Sequence, residues 1–214
     1  MEPRRVVCAA CENGMEPLRL PICDTCGCAN AVLKGGGHCE DCPAGQVWFE
    51  KARGTTPFAG MAKIAVEKLK YGGRLEYAPY MARHVFNILL NQFQDVSFDS
   101  IVPVPLHSTR YRERGFNQSH ELAKYLAKYS GIAVIPNALV RKRPTPSQTR
   151  LSRRDRARNI AGAFAPGPAS IAVGSCLLID DVYTTGATLN ECARVLRDAG
   201  ATTVHCLAFA RAIL

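Results

Sequence analysis

A chain of 214 residues, 47% hydrophobic and 21% charged, has the apolar content to bury a core; this excludes a disordered chain and allows one full domain plus a small appendage. No run of about 18 apolar residues occurs, and the first residues lead into cysteines rather than an apolar signal core, so neither membrane insertion nor secretion is expected and the protein should be cytoplasmic. The formal charge of +9 is concentrated between Pro105 and Ile160, where thirteen Lys or Arg face only Glu113, Glu121 and Asp155, which points to a polyanionic ligand, either a phosphorylated small molecule or nucleic acid.

The chain divides near residue 48. Residues 1–48 are rich in cysteine and glycine and carry three Cys-x-x-Cys pairs: Cys8 with Cys11, Cys23 with Cys26, and Cys39 with Cys42. In a reducing compartment such pairs indicate metal rather than disulfides, and spacers of eleven and twelve residues suit a zinc ribbon, in which two knuckles give four thiolates to one tetrahedral Zn²⁺. Cys23, Cys26, Cys39 and Cys42 are the favoured set, because Cys26-Gly27 has the form of a knuckle with its glycine. Cys8 and Cys11 remain an alternative pair, and Cys28 or His38 a substitute ligand. With every position taken by a thiolate, such a zinc is structural: it folds a segment too small to hold itself together. Cys176, Cys192 and Cys206 fall in strand or helix patterns and read as core.

Residues 49–214 carry alternating strand and helix signals. Thr56-Pro57 has the form of an N-cap and a first-turn proline, followed by an apolar helical face at Met61, Ile64, Ala65 and Leu69 that ends at Gly72-Gly73. A second helix is expected from about Glu76 to Phe93. Phe98 to Val104 is a short apolar run stopped by prolines; a basic loop, a helix from about Gln118 to Tyr129 and a β-rich stretch around Ile132–Ile135 follow. Arg141 to Arg158, with eight basic residues, two prolines and few apolar anchors, reads as a mobile loop. Ser175 to Ile179 is a buried strand ending on two aspartates, a helix spans about Ala187 to Ala199 before Gly200, and Thr202 to Phe209 is the next strand. The alternation predicts an α/β fold with a mainly parallel sheet, flanking helices, and a ligand at the carboxyl ends of the strands.

The segment Asp180-Asp181-Val182-Tyr183-Thr184-Thr185-Gly186-Ala187-Thr188 has the chemistry of a sugar-phosphate site. Backbone N–H groups at a helix N-terminus attract phosphate, Gly186 lets the backbone approach closely, and Thr184, Thr185 and Thr188 add hydroxyl donors. Asp180 and Asp181 can accept hydrogen bonds from vicinal ribose hydroxyls or hold a Mg²⁺ that bridges sugar and pyrophosphate. Arg112 and Arg114 follow the first apolar strand at the ligand end and are assigned to the pyrophosphate, whose oxygens match guanidinium forks. Tyr111 and Phe116 are the only aromatics within that basic loop that a base could stack on.

Leu177 to Leu189 resembles the phosphoribosyl-pyrophosphate signature of the type I phosphoribosyltransferases. Within that superfamily, Val102-Pro103-Val104-Pro105-Leu106, Arg112 to Gln118, and Gln148 through Arg158-Asn159 resemble the ComF family, the competence-associated branch, as do the N-terminal cysteine pairs. The resemblance implies the type I phosphoribosyltransferase fold behind a small N-terminal zinc ribbon, and a hood closing over the bound sugar to which Gln148, Arg154 and Arg158 belong. It also implies a role in DNA uptake during natural transformation, with phosphoribosyl pyrophosphate, single-stranded DNA and proteins of the competence machinery as partners. A catalytically active phosphoribosyltransferase of nucleotide metabolism or salvage, with Asp180 and Asp181 at its centre, and a non-catalytic sugar-phosphate regulator are the alternatives, since all three need the same loop.

Overall fold

The computed structural model describes residues 6–18, 21–29, 39–40, 42–43, 46–144, 153–169 and 174–213, and at 153–154 and 156–157 the backbone alone. In chain order the elements are α1 (Ala9–Asn13), β1 (Lys51–Pro57), α2 (Gly60–Gly72), α3 (Tyr77–Gln92), β2 (Ser100–Pro103), α4 (Ser108–Arg114), α5 (Gln118–Ser130), β3 (Leu139–Arg141), α6 (Arg153–Ile160), β4 (Phe164–Pro166), β5 (Ser175–Tyr183), α7 (Ala187–Asp198) and β6 (Thr203–Arg211). β1, β6, β5 and β2 form, in that order, one sheet in which every pairing is parallel; β3 and β4 form a separate antiparallel pair.

β5 shows why an uninterrupted apolar run makes a central strand. Cys176, Leu177, Leu178 and Ile179 are all fully buried, because alternate side chains enter two different cores. Cys176 and Leu178 join Cys206 and Ala208 of β6 beneath α7, which contributes Leu189, Cys192, Ala193 and Leu196 at helical spacing. Leu177 and Ile179 join Leu207 and Phe209 beneath α2, α3 and α5, where Leu69, Met81, Val85, Leu122 and Leu126 close the other face. The sheet is covered on both sides, so its carboxyl edge is where strands can meet a ligand.

The helices α3 and α5 lie within about a residue of their expected bounds. Five expectations need correction. The stretch Arg141 to Arg158, expected as a loop, begins at the end of β3 and runs into helix α6 (Arg153–Ile160). Thr56 and Pro57 do not start a helix. They end edge strand β1, where Thr56 Oγ1 donates to the Glu16 carbonyl at 2.7 Å, and α2 begins three residues later. A proline is tolerated there because β1 pairs on one side only. The basic loop after β2 contains a helix, α4, with the His107 ring accepting from Thr109 N–H at its start and Gly115 at φ +83° ending it. Residues 132–135 make only a parallel bridge between Ile101 and Val134, not a strand. Finally, β5 does not stop before the aspartates but runs through Asp180 and Asp181 to Tyr183, where its backbone stays paired with β6 as far as Arg211.

Candidate functional site

β5 delivers its last four residues to the carboxyl edge of the sheet, and the chain turns through Thr184, Thr185 and Gly186 into α7. Gly186 has φ +78°, and a Cβ there would lie 2.7 Å from the Tyr183 ring and 2.9 Å from Pro43, so the turn needs glycine for both conformation and space. The Thr185 hydroxyl is buried and has no hydrogen-bond partner among the described residues. An unsatisfied buried donor at the start of a twelve-residue helix suits an anion supplied from outside.

The two carboxylates have different surroundings. Asp181 is 2% exposed; one oxygen pairs with Lys70 of α2 and the other accepts from Gln118 Nε2 at 3.3 Å, while Gln118 in turn accepts from Arg114. Asp180 Oδ1 accepts from Ser119 Oγ at 2.8 Å and from the Asp181 N–H at 2.9 Å. Burial, and after it the neighbouring Asp181, push Asp180 up to about 7, with Lys70 acting against them. One aspartate is thus ion-paired, while burial and that neighbouring carboxylate raise the other.

Both open on a cleft of about 510 Å³ walled by Phe58, Lys70, Tyr71, Arg141, Thr184 and Thr188 among others. Of the residues singled out in the sequence, Asp180, Asp181, Val182, Thr184 and Thr188 line this cleft, and Thr185 and Gly186 form the turn beside it. Ala187, the first residue of α7, and Tyr183 are buried, and the Tyr183 ring faces the protein rather than the cleft, under the Arg211 guanidinium at 4.0 Å. Arg114 is half-buried and reaches the carboxylates through Gln118; Arg112 on α4 and Arg158 on α6 are exposed and are not among the residues lining the cleft. Gln148 and the Arg154 side chain lie outside the described residues.

Lys70, Tyr71 and Arg141 were not foreseen as site residues, nor were the contacts of Gln118 and Ser119 with the aspartates. Lys70 and Tyr71 close the last turn of a helix whose sequence pattern marks only its apolar face, and Arg141 is one basic residue among eight in its stretch. No local signal distinguishes them; they become site residues only when α2 and β3 fold against the end of β5.

The four favoured cysteines converge. Cys23 and Cys42 sulfurs lie 3.8 Å apart, Cys26 and Cys39 3.4 Å, Cys39 and Cys42 3.9 Å, and all four lie within 4.8 Å of one another. A tetrahedron with metal–sulfur bonds of about 2.3 Å has edges of about 3.8 Å, so the donor set fits a tetrahedral ion, and the separations are far beyond a disulfide bond. The knuckle closes through Gly27 N–H to the Cys23 carbonyl at 2.8 Å, and Gly27 (φ +65°) is needed because a Cβ would sit 2.6 Å from the Ala52 carbonyl. All four are compatible with a structural metal site, buried in the same apolar cluster as Phe49, Ala52 and Ala208. Cys8 and Cys11 are exposed on and beside α1, outside that cluster, and Cys28 donates to the Ala29 carbonyl. His38 lies outside the described residues.

Known proteins match over most of this chain. The family profile described as the phosphoribosyl transferase domain covers residues 84–213. The DNA utilization protein YhgH of Salmonella typhimurium is 33% identical over 204 residues, 93% of this chain and 87% of that protein. Competence protein F of Haemophilus influenzae is 27% identical, covering 96% and 90%, and competence protein ComFC of Bacillus subtilis is 28% identical, covering 94% and 81%. Among solved structures, the glutamine phosphoribosylpyrophosphate amidotransferase of B. subtilis complexed with ADP and GMP aligns with a TM-score of 0.42 at 21% identity, over 66% of this chain and 30% of that enzyme. By profile and by relatives, this chain belongs to the phosphoribosyl transferase domain family, in the branch that includes competence protein F.

Proposed function

We propose that the chain binds the phosphoribosyl group of phosphoribosyl pyrophosphate on Asp180 to Thr188, grips single-stranded DNA over the same basic face, and acts in the cytoplasm in DNA uptake. The observation that carries this reading is the end of β5, where two aspartates face one cleft with Lys70 and Arg141, and the turn beside it holds a buried threonine hydroxyl, Thr185, with no partner among the described residues. The phosphate takes the turn before α7, Asp180 takes the ribose hydroxyls, and Arg112 and Arg114 with the hood residues Gln148, Arg154 and Arg158 take the pyrophosphate or successive DNA phosphates. The names of the relatives, DNA utilization protein and competence protein, favour the DNA branch of this reading.

Mg²⁺ arriving with pyrophosphate fits Asp180 better than Asp181, whose oxygens already face Lys70 and Gln118; bound there it would neutralise pyrophosphate charge. The ion of the four cysteines is Zn²⁺, a structural tie for a ribbon of residues 1–48 standing before a phosphoribosyl-binding unit of residues 49–214. Among the described residues no helix is long and apolar enough to cross a membrane.

The test is calorimetric titration of the zinc-loaded protein with phosphoribosyl pyrophosphate and Mg²⁺, followed by single-stranded DNA in the same cell. Saturable binding that DNA displaces is expected, and Asp180→Ala with Asp181→Ala should abolish the sugar-phosphate signal. A double variant that binds phosphoribosyl pyrophosphate like the parent protein would remove the site assignment.

Tyr71 supplies a sharper check on the DNA branch. Its ring is 78% exposed at the cleft wall, with the Arg114 guanidinium 5.8 Å from its centroid, an arrangement on which an unpaired base can stack. Tyr71→Ala is expected to weaken binding of a labelled oligothymidylate about tenfold, as stacking by one base predicts. Phosphoribosyl pyrophosphate affinity should fall less than oligothymidylate affinity, and equal anisotropy curves for the two proteins would exclude Tyr71 as a stacking surface.

A second reading, transfer of the phosphoribosyl group to a nitrogenous acceptor, is favoured by Asp180, which lines the cleft and is pushed up to about 7 by burial and Asp181. Release of pyrophosphate on addition of an acceptor base distinguishes it from binding alone.

A further inference from the structure

We propose that Arg211 is a positioning residue that links occupancy of the four-cysteine metal site to the affinity of the sugar-phosphate loop. The inference rests on the proposed ligand of that loop and adds its regulation by the metal.

Arg211 is the last residue of β6 and is 3% exposed. Its Nη1 donates to the Cys26 carbonyl at 2.6 Å, and its Nη2 lies 3.7 Å from the Cys26 sulfur. The other face of this contact is Tyr183, whose ring centroid is 4.0 Å from the guanidinium carbon and which is the register partner of Arg211 in the sheet. Even the neighbouring strand makes room for this side chain: a Cβ on Gly54 would lie 2.8 Å from the Arg211 Cβ.

Tyr183 is the residue on which the loop rests. Its ring and Pro43, the neighbour of Cys42, both lie within 3 Å of where a Gly186 Cβ would be, so the turn has no slack on that side. A divalent ion held by four thiolates is a net anion, and an arginine within reach of one of its sulfurs is the kind of outer partner that orients such a centre. Metal binding fixes Cys26 and Cys42. Cys26 fixes Arg211, Arg211 and Pro43 hold Tyr183 and Gly186, and Gly186 sets the start of α7. Interiors this closely packed transmit displacement instead of absorbing it.

Linkage is reciprocal: whatever factor the metal adds to sugar-phosphate affinity, the sugar phosphate must add to metal affinity. Ribose 5-phosphate is the probe, because pyrophosphate would itself bind zinc. With the full chain, ribose 5-phosphate affinity is measured calorimetrically on zinc-loaded and zinc-stripped protein, and zinc affinity by competition with a chromophoric chelator with and without ribose 5-phosphate. We expect both arms to change by the same factor, on the order of tenfold. In Arg211→Met and in Arg211→Leu both ligands should still bind while the factor falls to about one. If the stripped protein loses its fold, the zinc-competition arm still reads the linkage. A factor near one in the parent protein, or an undiminished factor in both variants, overturns the proposal. Failure of the loaded protein to bind ribose 5-phosphate overturns the site reading and the linkage with it, whereas binding without linkage overturns the linkage alone.

Discussion

Lys70→Met is expected to destabilise the protein by about 2–3 kcal/mol at pH 8, and by much less at pH 5. Asp181 is 2% exposed and Lys70 is its ion-pair partner, so removing the ammonium leaves a carboxylate buried beside a second one. Breaking a buried pair costs about 3–5 kcal/mol, and the lower figure applies here because the Lys70 side chain is 20% exposed. The pH dependence has a definite sign. Burial and Asp181 already push Asp180 up to about 7 and Lys70 opposes them, so without Lys70 the native state holds its proton to higher pH still. Since an unfolded aspartate has a pKa of about 3.9, the native variant binds more protons than the unfolded chain throughout this window, and its stability falls as pH rises. Urea denaturation of both proteins at pH 5 and pH 8 checks this. A deficit that does not depend on pH would mean that the lost methylene packing of Lys70, not its charge, is what matters. Adding Asp181→Leu to the variant should restore most of the stability at pH 8, because an apolar pair then replaces an orphaned charge.

The sequence and structure agree where burial is apolar and part where it is polar. β5 and α7 were legible because Cys176 to Ile179 form an unbroken apolar run and α7 repeats Leu189, Cys192, Ala193 and Leu196 on one face. The turn from Thr184 to Gly186 was legible because a glycine between threonines marks a tight turn into a helix. β1 was not, because Lys51-Ala52-Arg53-Gly54-Thr55-Thr56 has no apolar pattern. It is buried through hydrogen bonds instead: Arg53 donates to the Cys23 and Asp24 carbonyls at 3.3 and 2.9 Å, and Thr55 donates to the Phe209 carbonyl. Lys70 and Gln118 were missed for a related reason, since each is polar and its partner is more than sixty residues away in the chain. The cysteine set could be read because metal ligands announce themselves by spacing, whereas Arg211, which contacts the same cluster from β6, looks like any strand-terminal arginine until the ribbon is seen against it.

Removing the metal should expose four thiols and no more in the first step. In the loaded protein a thiol reagent is expected to modify Cys8 and Cys11 at once and the half-buried Cys28 more slowly, while Cys23, Cys26, Cys39 and Cys42 are protected by ligation and Cys176, Cys192 and Cys206 by burial between the sheet and α7. A chelator withdraws on the order of 10 kcal/mol of folding free energy from a segment with little apolar core of its own, so the four ligand cysteines should react together. The other three are enclosed between α7, which carries Cys192, and the sheet, which the chelator leaves in place, and they should stay silent on the same timescale. Against this stand the ties that bind ribbon to sheet: Arg53 and Arg211 donate to ribbon carbonyls, and Asn190 in the first turn of α7 holds the backbone of Trp48 and Gln46 at 2.8 and 2.9 Å. Thiol counting by absorbance against time resolves the two cases. Four thiols mean that the sheet and α7 survive loss of the ribbon, whereas seven appearing together would mean that these ties are strong enough to make ribbon and sheet one cooperative unit, which the metal then holds folded as a whole.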